Sequence, residues 1–297
     1  MFLFLFHLGC SSSEQHTTKS DELRDNTHFE QIELTWFGVT TIRIQFGETI
    51  WLLDPFFSRT QEGILESNET GLQYMQDHVG SKVDRIFIGH SHYDHILDAK
   101  SAGNLYTAPV YGTQTTCFLM GEQECHVVVQ GWKDTIDGVE VTAIRTPHWR
   151  PDWEPIGSFS ELEEHSEDMV SAPNGGVITY LFEFPNQQTI IFQDSMGSLD
   201  IPDDSSENYR QNLSVLQNKD IDLWLTCGDC LEESDELEAY LTLIQPTHAT
   251  PIHWDGLMPN LEIQPTWTPT TSWIENMETF DVQEINFTGY HTTITVP

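Results

Sequence analysis

One six-residue segment, His-Ser-His-Tyr-Asp-His at positions 90–95, constrains the fold of this chain more than any other feature. It follows an apolar stretch at 84–89 that predicts a strand, and it precedes a segment at 96–102 that predicts the start of a helix. Histidines two positions apart on a loop can direct two imidazoles at one metal ion, while the Asp and His that follow turn toward a second ion. The segment therefore predicts a metal centre, and its first four ligands are His90, His92, Asp94 and His95.

Three more ligand-type residues stand just after predicted strands, where ligands of a layered α/β site are expected. They are His148 in Thr-Pro-His-Trp, Asp194 in Phe-Gln-Asp-Ser-Met-Gly and His253 in Pro-Ile-His-Trp-Asp. Taken singly, each could serve structure or solvent, but their order after the histidine segment favours metal ligation. His248 competes with His253 for the last position, and we favour His253 because it stands in the Ile-His-Trp context.

The pattern of apolar runs predicts one mixed α/β layered domain over residues 32–297, opening with an antiparallel meander. Strands alternate with helices after that meander, and no internal repeat or second linker interrupts them. The predicted strands are 32–37, 39–46, 49–53, 84–89, 126–130, 139–146, 177–184, 189–192 and 221–226. The predicted helices lie near 96–102, 113–120, 208–217 and 235–243.

With these motifs, residues from about Ile32 to Val296 resemble the metallo-β-lactamase superfamily, in the branch typified by L-ascorbate-6-phosphate lactonase and N-acylphosphatidylethanolamine-hydrolysing phospholipase D. The resemblance rests on Leu-Thr-Trp-Phe-Gly followed by Leu-Leu-Asp-Pro-Phe-Phe, on the histidine segment, on His148-Trp149, on Gln-Asp-Ser-Met-Gly and on Ile-His-Trp-Asp. It implies a four-layer αβ/βα sandwich. Two departures leave the substrate open: Gly38-Val39 stands where many members have Gly-His, and Gln193-Asp194 where many have Gly-Asp.

The resemblance also implies a role for each ligand. One ion would be held by His90, His92 and His148, and the other by Asp94, His95 and His253, with Asp194 bridging the two. Asp94 would in addition be the catalytic carboxylate, which orients the nucleophile and relays its proton. Asp54 would orient a ligand imidazole through its other ring nitrogen. Asp98 and Asp255 are weaker candidates for the same role, and the alternative for both is an exposed carboxylate.

Two divalent ions predict hydrolysis by a metal-bridging hydroxide, because paired cations acidify water and stabilise charge on the attacking and leaving oxygens. Zinc is the default for this nitrogen-rich ligand set, with manganese or iron as alternatives. The leading hypothesis is a hydrolase of a small-molecule ester, lactone or amide. The alternatives are a phosphodiesterase acting on a lipid or small phosphate ester, and a non-catalytic metal- or solute-binding lipoprotein.

The charge balance bears on the substrate. The chain has 12 Lys and Arg against 47 Asp and Glu, a formal net charge of −35. Nucleic-acid affinity rests on Lys and Arg contacts with phosphates, so nucleic acid is excluded as a partner and a small-molecule substrate is expected. Self-repulsion on this scale also predicts a saline habitat, where salt screens it.

The first ten residues, Met-Phe-Leu-Phe-Leu-Phe-His-Leu-Gly-Cys, are apolar but too short to span a bilayer. Leu8-Gly9-Cys10 resembles the end of a bacterial lipoprotein signal, in which the Cys carries the lipid. We therefore expect an export signal remnant at 1–10, a polar tether at 11–31 and a periplasm-facing lipoprotein of the cell envelope, with the lipid its one membrane contact. If the segment is a truncated or mis-assigned start, the chain is cytoplasmic.

Two features stay open at this stage. Four cysteines remain beside Cys10, namely Cys117, Cys125, Cys227 and Cys230, and they could form disulfides or stay reduced. A structural zinc at Cys227 and Cys230 is not expected, because no second ligand pair with suitable spacing completes it. The acidic segment 150–174 is either a functional loop or a solvated surface insertion.

Overall fold

The computed structural model describes residues 31–59, 66–149, 176–200, 208–230, 234–256, 261 and 263–297. The predicted export signal with Cys10, the tether up to residue 30 and the acidic segment 150–174 lie outside the described residues. Within the described ranges, no helix combines the length and the apolar composition needed to cross a bilayer.

The described strands form two seven-stranded mixed sheets. In chain order they are β1 (Glu33–Trp36), β2 (Ile42–Phe46), β3 (Thr49–Leu53), β4 (Arg85–Phe87), β5 (Val110–Gly112), β6 (Cys125–Val127), β7 (Lys133–Ile136), β8 (Val139–Thr146), β9 (Val177–Glu183), β10 (Thr189–Gln193), β11 (Ile221–Cys227), β12 (Pro246–Ile252), β13 (Gln283–Glu284) and β14 (Thr293–Thr295). The first sheet has the order β14-β1-β2-β3-β4-β5-β6, and the second has the order β13-β12-β11-β10-β9-β8-β7.

Each sheet changes from antiparallel to parallel pairing part of the way across. In the first sheet β1, β2 and β3 form an antiparallel meander, and β3 to β6 are parallel. In the second sheet β7 to β10 are antiparallel, and β10 to β13 are parallel. The parallel halves matter for function, because the carboxyl ends of neighbouring parallel strands meet at one edge of a sheet.

Helices cover the outer face of each sheet. They are α1 (Glu69–Val79), α2 (Tyr93–Ile96), α3 (Ala99–Tyr106), α4 (Gln114–Met120), α5 (Tyr209–Leu213), α6 (Ser234–Ile244) and α7 (Thr271–Thr279), with a 3-10 turn at Ser214–Leu216. Side-chain caps start several of them: Asn68 accepts from the Gly71 amide before α1, and Thr113 accepts from the Thr116 amide before α4.

Alternation along the strands explains the layers. In β3, Trp51 and Leu53 enter the core between the two sheets, while Ile50 and Leu52 enter a second core beneath the helices of the first sheet. The second sheet likewise shares the central core and packs its other face on α5, α6 and α7 in a third. The four layers confirm the predicted mixed α/β sandwich.

The predicted elements agree with the structure most closely in the strands that lead to ligands. The opening meander is confirmed, and β8 has the predicted bounds. The sequence prediction missed α1, α7 and β12. β12 contains Pro246 and Pro251, and proline in a sequence argues against a central strand because it cannot donate a ladder hydrogen bond. The structure accommodates Pro251 because the neighbouring β13 pairs only with His248 and Ala249 of β12. Pro251 therefore has a strand neighbour on one side only.

Candidate metal centre

The segment 90–95 lies where the first sheet meets the second. β4 ends at Phe87, the Ile88 amide donates to the Tyr111 carbonyl, and the Gly89 carbonyl accepts from the Ile178 amide of β9. The backbone is thus pinned to both sheets immediately before His90. All four ligand-type side chains of the segment are buried, and helix α2 begins inside it at Tyr93.

Three histidines form the first group of candidate ligands. The Nε2 of His90 and the Nδ1 of His92 lie 3.0 Å apart, and the ring centroid of His148 lies 5.0 Å and 4.6 Å from theirs. Each residue offers a ligand atom within 4.8 Å of the others. Burial lowers the pKa of all three imidazoles well below its ordinary value, and the neighbouring histidines lower it further. Neutral imidazoles keep the lone pair that a metal ion needs.

The second group joins Asp94, His95 and His253. Asp94 Oδ2 lies 3.4 Å from His95 Nε2 and 3.2 Å from His253 Nε2. Burial raises the pKa of Asp94, but His95 and His253 outweigh that effect and hold it well below the ordinary value. This carboxylate therefore stays ionised beside two imidazole nitrogens, which is a donor set suited to a divalent transition metal.

Asp194 lies between the two groups. The Nδ1 of His90 donates to its Oδ2 at 2.6 Å, and the Nδ1 of His95 lies 3.4 Å from the same oxygen. Its Oδ1 is buried and has no hydrogen-bond partner among the described residues. A buried carboxylate oxygen in this state is costly unless a cation satisfies it. Gly89 makes room for the carboxylate, since a Cβ there would lie 2.1 Å from Asp194 Oδ2.

Asp54 orients His95 from behind. The His95 Nδ1 donates to Asp54 Oδ2 at 2.9 Å, which leaves Nε2 directed at Asp94. Thr40 donates to the same Asp54 oxygen, and the Gly89 amide donates to the other one. Burial and the nearby Asp194 charge raise the pKa of Asp54 to about 7, against the opposing effect of His95.

The other two carboxylates predicted to orient a ligand imidazole bind elsewhere. Asp98 accepts from the amides of Phe57 and Ser58, so it holds the loop after β3. Asp255 Oδ1 accepts from the Val39 amide, and the Val39 carbonyl accepts from the His253 amide. Asp255 thus acts on the backbone of His253, and within the described residues neither carboxylate hydrogen-bonds a ligand imidazole.

The structure answers two questions that the sequence left open: the choice between His253 and His248, and the state of the cysteines. His253, at the end of β12, belongs to a ligand group, whereas His248 lies inside that strand with its Nδ1 3.0 Å from the Asp222 carbonyl. The four described cysteines form two disulfides, Cys117–Cys125 and Cys227–Cys230.

The sequence did not predict the supporting contacts that Thr40, Val39 and Arg59 make around the candidate ligands. Arg59 is buried and pairs with Asp255 at 3.3 Å. Val39, Arg59 and His253 all have positive φ, at 46°, 44° and 58°. No local pattern predicts such contacts, because they join residues about 200 positions apart.

Among the described ligand residues, exposure to solvent is greatest at His253. The side chains of His90, His95 and Asp194 are 0 to 2% exposed, whereas Asp94 is 10% and His253 is 22% exposed. Asp94 and His253 therefore border the solvent-exposed side of the described part of the centre. The chemistry of these side chains fits divalent cations: the three neutral imidazoles could hold one, Asp94, His95 and His253 could hold a second, and the orphaned oxygen of Asp194 lies between the two groups.

Comparisons with known proteins identify the family and the fold. The family model described as a beta-lactamase superfamily domain matches residues 33–201. This segment contains all six candidate ligands that precede β11, and it ends ahead of His253. A UPF0173 metal-dependent hydrolase of Ruegeria pomeroyi is 27% identical over 120 residues, which are 39% of this chain and 49% of the relative. The chain spans about half the length of the curated relatives it matches.

Two solved structures share the fold. Igni18, a metallo hydrolase from the archaeon Ignicoccus hospitalis, has a TM-score of 0.60 at 14% identity, and the match covers 89% of this chain and 99% of that one. The metallo-beta-lactamase fold protein YhfI from Bacillus subtilis has a TM-score of 0.54 at 13% identity, covering 90% of this chain and all of YhfI (100%). The branch of the superfamily stays a prediction. The resemblance to the superfamily itself is confirmed, and the chain belongs to the beta-lactamase superfamily with the metallo-β-lactamase fold.

Proposed function

We propose that this protein is a metal-dependent hydrolase of a small-molecule ester, lactone or amide. The single observation that carries the proposal is the pair of ligand groups that meet at Asp194, one of them opening to solvent through His253. When bound, two divalent cations supply Lewis acidity to the reacting carbonyl and bring the pKa of a water near neutrality.

The side chains of the centre orient the metal-binding nitrogens and the attacking water. His90 and His95 each have their Nδ1 turned to a carboxylate, Asp194 and Asp54 respectively, so both keep Nε2 for a metal ion. Asp94 borders the open side and stays ionised. It can accept a hydrogen bond from the attacking water and aim it at the carbonyl, whereas its low pKa makes it a poor store for the proton.

The charge of the molecule supports a substrate that is not an anion. The net charge is −35, and the buried Arg59 beside the centre is already paired with Asp255. Fields close to a dication pair can outweigh a distant net charge, so a phosphodiester is the alternative to test directly.

The experiment is a panel assay on protein reconstituted separately with zinc, manganese and iron. Matched 4-nitrophenyl esters, lactones, amides and a 4-nitrophenyl phosphodiester would be compared by kcat/KM, with Asp94→Asn as the inactive control. We expect turnover of a neutral carbonyl substrate that Asp94→Asn lowers by about 100-fold or more. Faster turnover of the phosphodiester would replace the proposal with the alternative, and no turnover by metal-loaded protein would favour a non-catalytic metal-binding role.

A further inference from the structure

The strand between two ligand-bearing strands carries a carboxylate of its own. β10, β11 and β12 are adjacent and parallel, and their carboxyl ends meet at one edge. β10 ends just before Asp194 and β12 just before His253. The central strand, β11, ends at Cys227 in the sequence Cys-Gly-Asp-Cys, which places Asp229 between the two ligands in sheet order.

The loop that carries Asp229 is held rigidly at this edge. Cys227 pairs in register with Ile252, the residue before His253, and the Gly228 amide donates to the Ile252 carbonyl at 2.6 Å. The Cys227–Cys230 disulfide closes the loop, and both of its cysteines are buried. A Cβ on Gly228 would lie 3.2 Å from the Ile252 carbonyl and from the Trp267 ring, so the loop packs closely against its neighbours.

Asp229 itself is exposed, and it directly follows Gly228, whose amide bonds the carbonyl of the residue before His253. Partial desolvation raises the pKa of the Asp229 carboxyl above its ordinary value. The nearby His253 lowers this pKa, and the nearby Asp255 raises it. The register of β11 and β12 and the Gly228–Ile252 hydrogen bond therefore set Asp229 beside the strand end that carries His253, the more exposed residue of the Asp94–His253 pair.

We propose that Asp229 is a specificity-determining residue, which favours substrates that carry a hydrogen-bond donor or a positive charge beside the reacting carbonyl and disfavours anionic ones. This inference rests on the proposed function, and it narrows the substrate class to neutral or cationic esters, lactones or amides. A fixed negative charge on a closed loop discriminates by repulsion as well as by attraction.

The test measures binding of inorganic phosphate to the zinc-reconstituted full chain by calorimetry. Asp229→Asn should tighten phosphate binding about fivefold, because one nearby negative charge is removed. Asp229→Glu should keep the wild-type affinity. Asp220→Asn is the matched control, since Asp220 is also exposed but stands just before β11, at the opposite end of the same strand, and it should leave the affinity unchanged.

The result that overturns the inference is equal phosphate affinity in wild type and Asp229→Asn, an equal change in Asp220→Asn, or the absence of measurable binding in all of them. A loss of bound zinc in Asp229→Asn would also overturn it, because Asp229 would then hold metal. Binding of phosphate requires no turnover, so this result is independent of the substrate panel. A protein without any hydrolytic activity would refute the proposed function and leave the phosphate comparison to decide the role of Asp229.

Discussion

Adding a single methyl group at Gly89 should disrupt the metal centre. A Cβ at this position would lie 2.1 Å from Asp194 Oδ2 and 2.3 Å from its Cγ, whereas ordinary contacts begin near 3.4 Å. The carboxylate would have to retreat by about 1 Å, and dispersion contacts do not tolerate such an overlap. Gly89 has no positive φ, so backbone strain is not the reason for the glycine.

The retreat has a predictable magnitude. Metal-ligand distances tolerate deviations of about 0.2 Å, so a carboxylate displaced by about 1 Å no longer bridges. Loss of an outer partner of a ligand weakens metal binding by about 10- to 100-fold, and loss of the bridging ligand in Gly89→Ala should exceed the upper end of that range. The 2.6 Å hydrogen bond between His90 Nδ1 and Asp194 Oδ2 would also be lost.

The assay is a competition titration of zinc against a chromophoric chelator, with thermal unfolding of metal-free and metal-loaded protein beside it. Gly103→Ala is the control, because Gly103 also lacks a positive φ and its added Cβ meets only the flexible side chain of Gln123. Gly103→Ala should bind zinc like wild type. Two zinc ions bound by Gly89→Ala with wild-type affinity would refute the reasoning that places Asp194 between them.

Three further predictions concern ligand choice, the disulfides and the buried ion pair. His253→Ala should lower bound zinc from two ions to one per chain in elemental analysis, and His248→Ala should keep both, because only His253 belongs to a ligand group; equal losses would contradict this. Replacing Cys117 and Cys125 together by Ser should lower the free energy of unfolding by about 2 kcal/mol, as expected for a short closed loop, without changing zinc content. Asp255→Asn should lower the free energy of unfolding, measured in urea, by about 3 kcal/mol, because it removes the carboxylate that pairs with the buried guanidinium of Arg59. A decrease of less than about 0.5 kcal/mol would show that this ion pair does not stabilise the fold.

Local sequence patterns were sufficient to select the seven side chains that the structure brings together as candidate ligands. The segment 90–95 carries four of them on one turn, and His148, Asp194 and His253 each follow a strand. Strand ends can be located from apolar runs, and parallel strands bring their carboxyl ends together. The fold class followed from the same alternation, and its four layers are confirmed.

Contacts between distant parts of the chain could not be predicted in this way. One example is the pair of hydrogen bonds at Val39, whose amide donates to Asp255 and whose carbonyl accepts from the His253 amide. Both bonds depend on how the turn after β1 packs against the end of β12. Positive φ at Val39 is unusual for a β-branched residue, and only the surrounding structure can impose it. The sequence left the state of the cysteines undecided for a related reason, since the pairing of Cys117 with Cys125 depends on α4 packing beside β6.

The central claim is that the chain holds two metal ions between its ligand groups. The most direct measurement is anomalous X-ray diffraction at the zinc edge from crystals of the reconstituted protein. The account predicts two peaks, one beside His92 and His148 and one beside His95 and His253, with Asp194 between them. A single peak, or peaks away from these side chains, would contradict it.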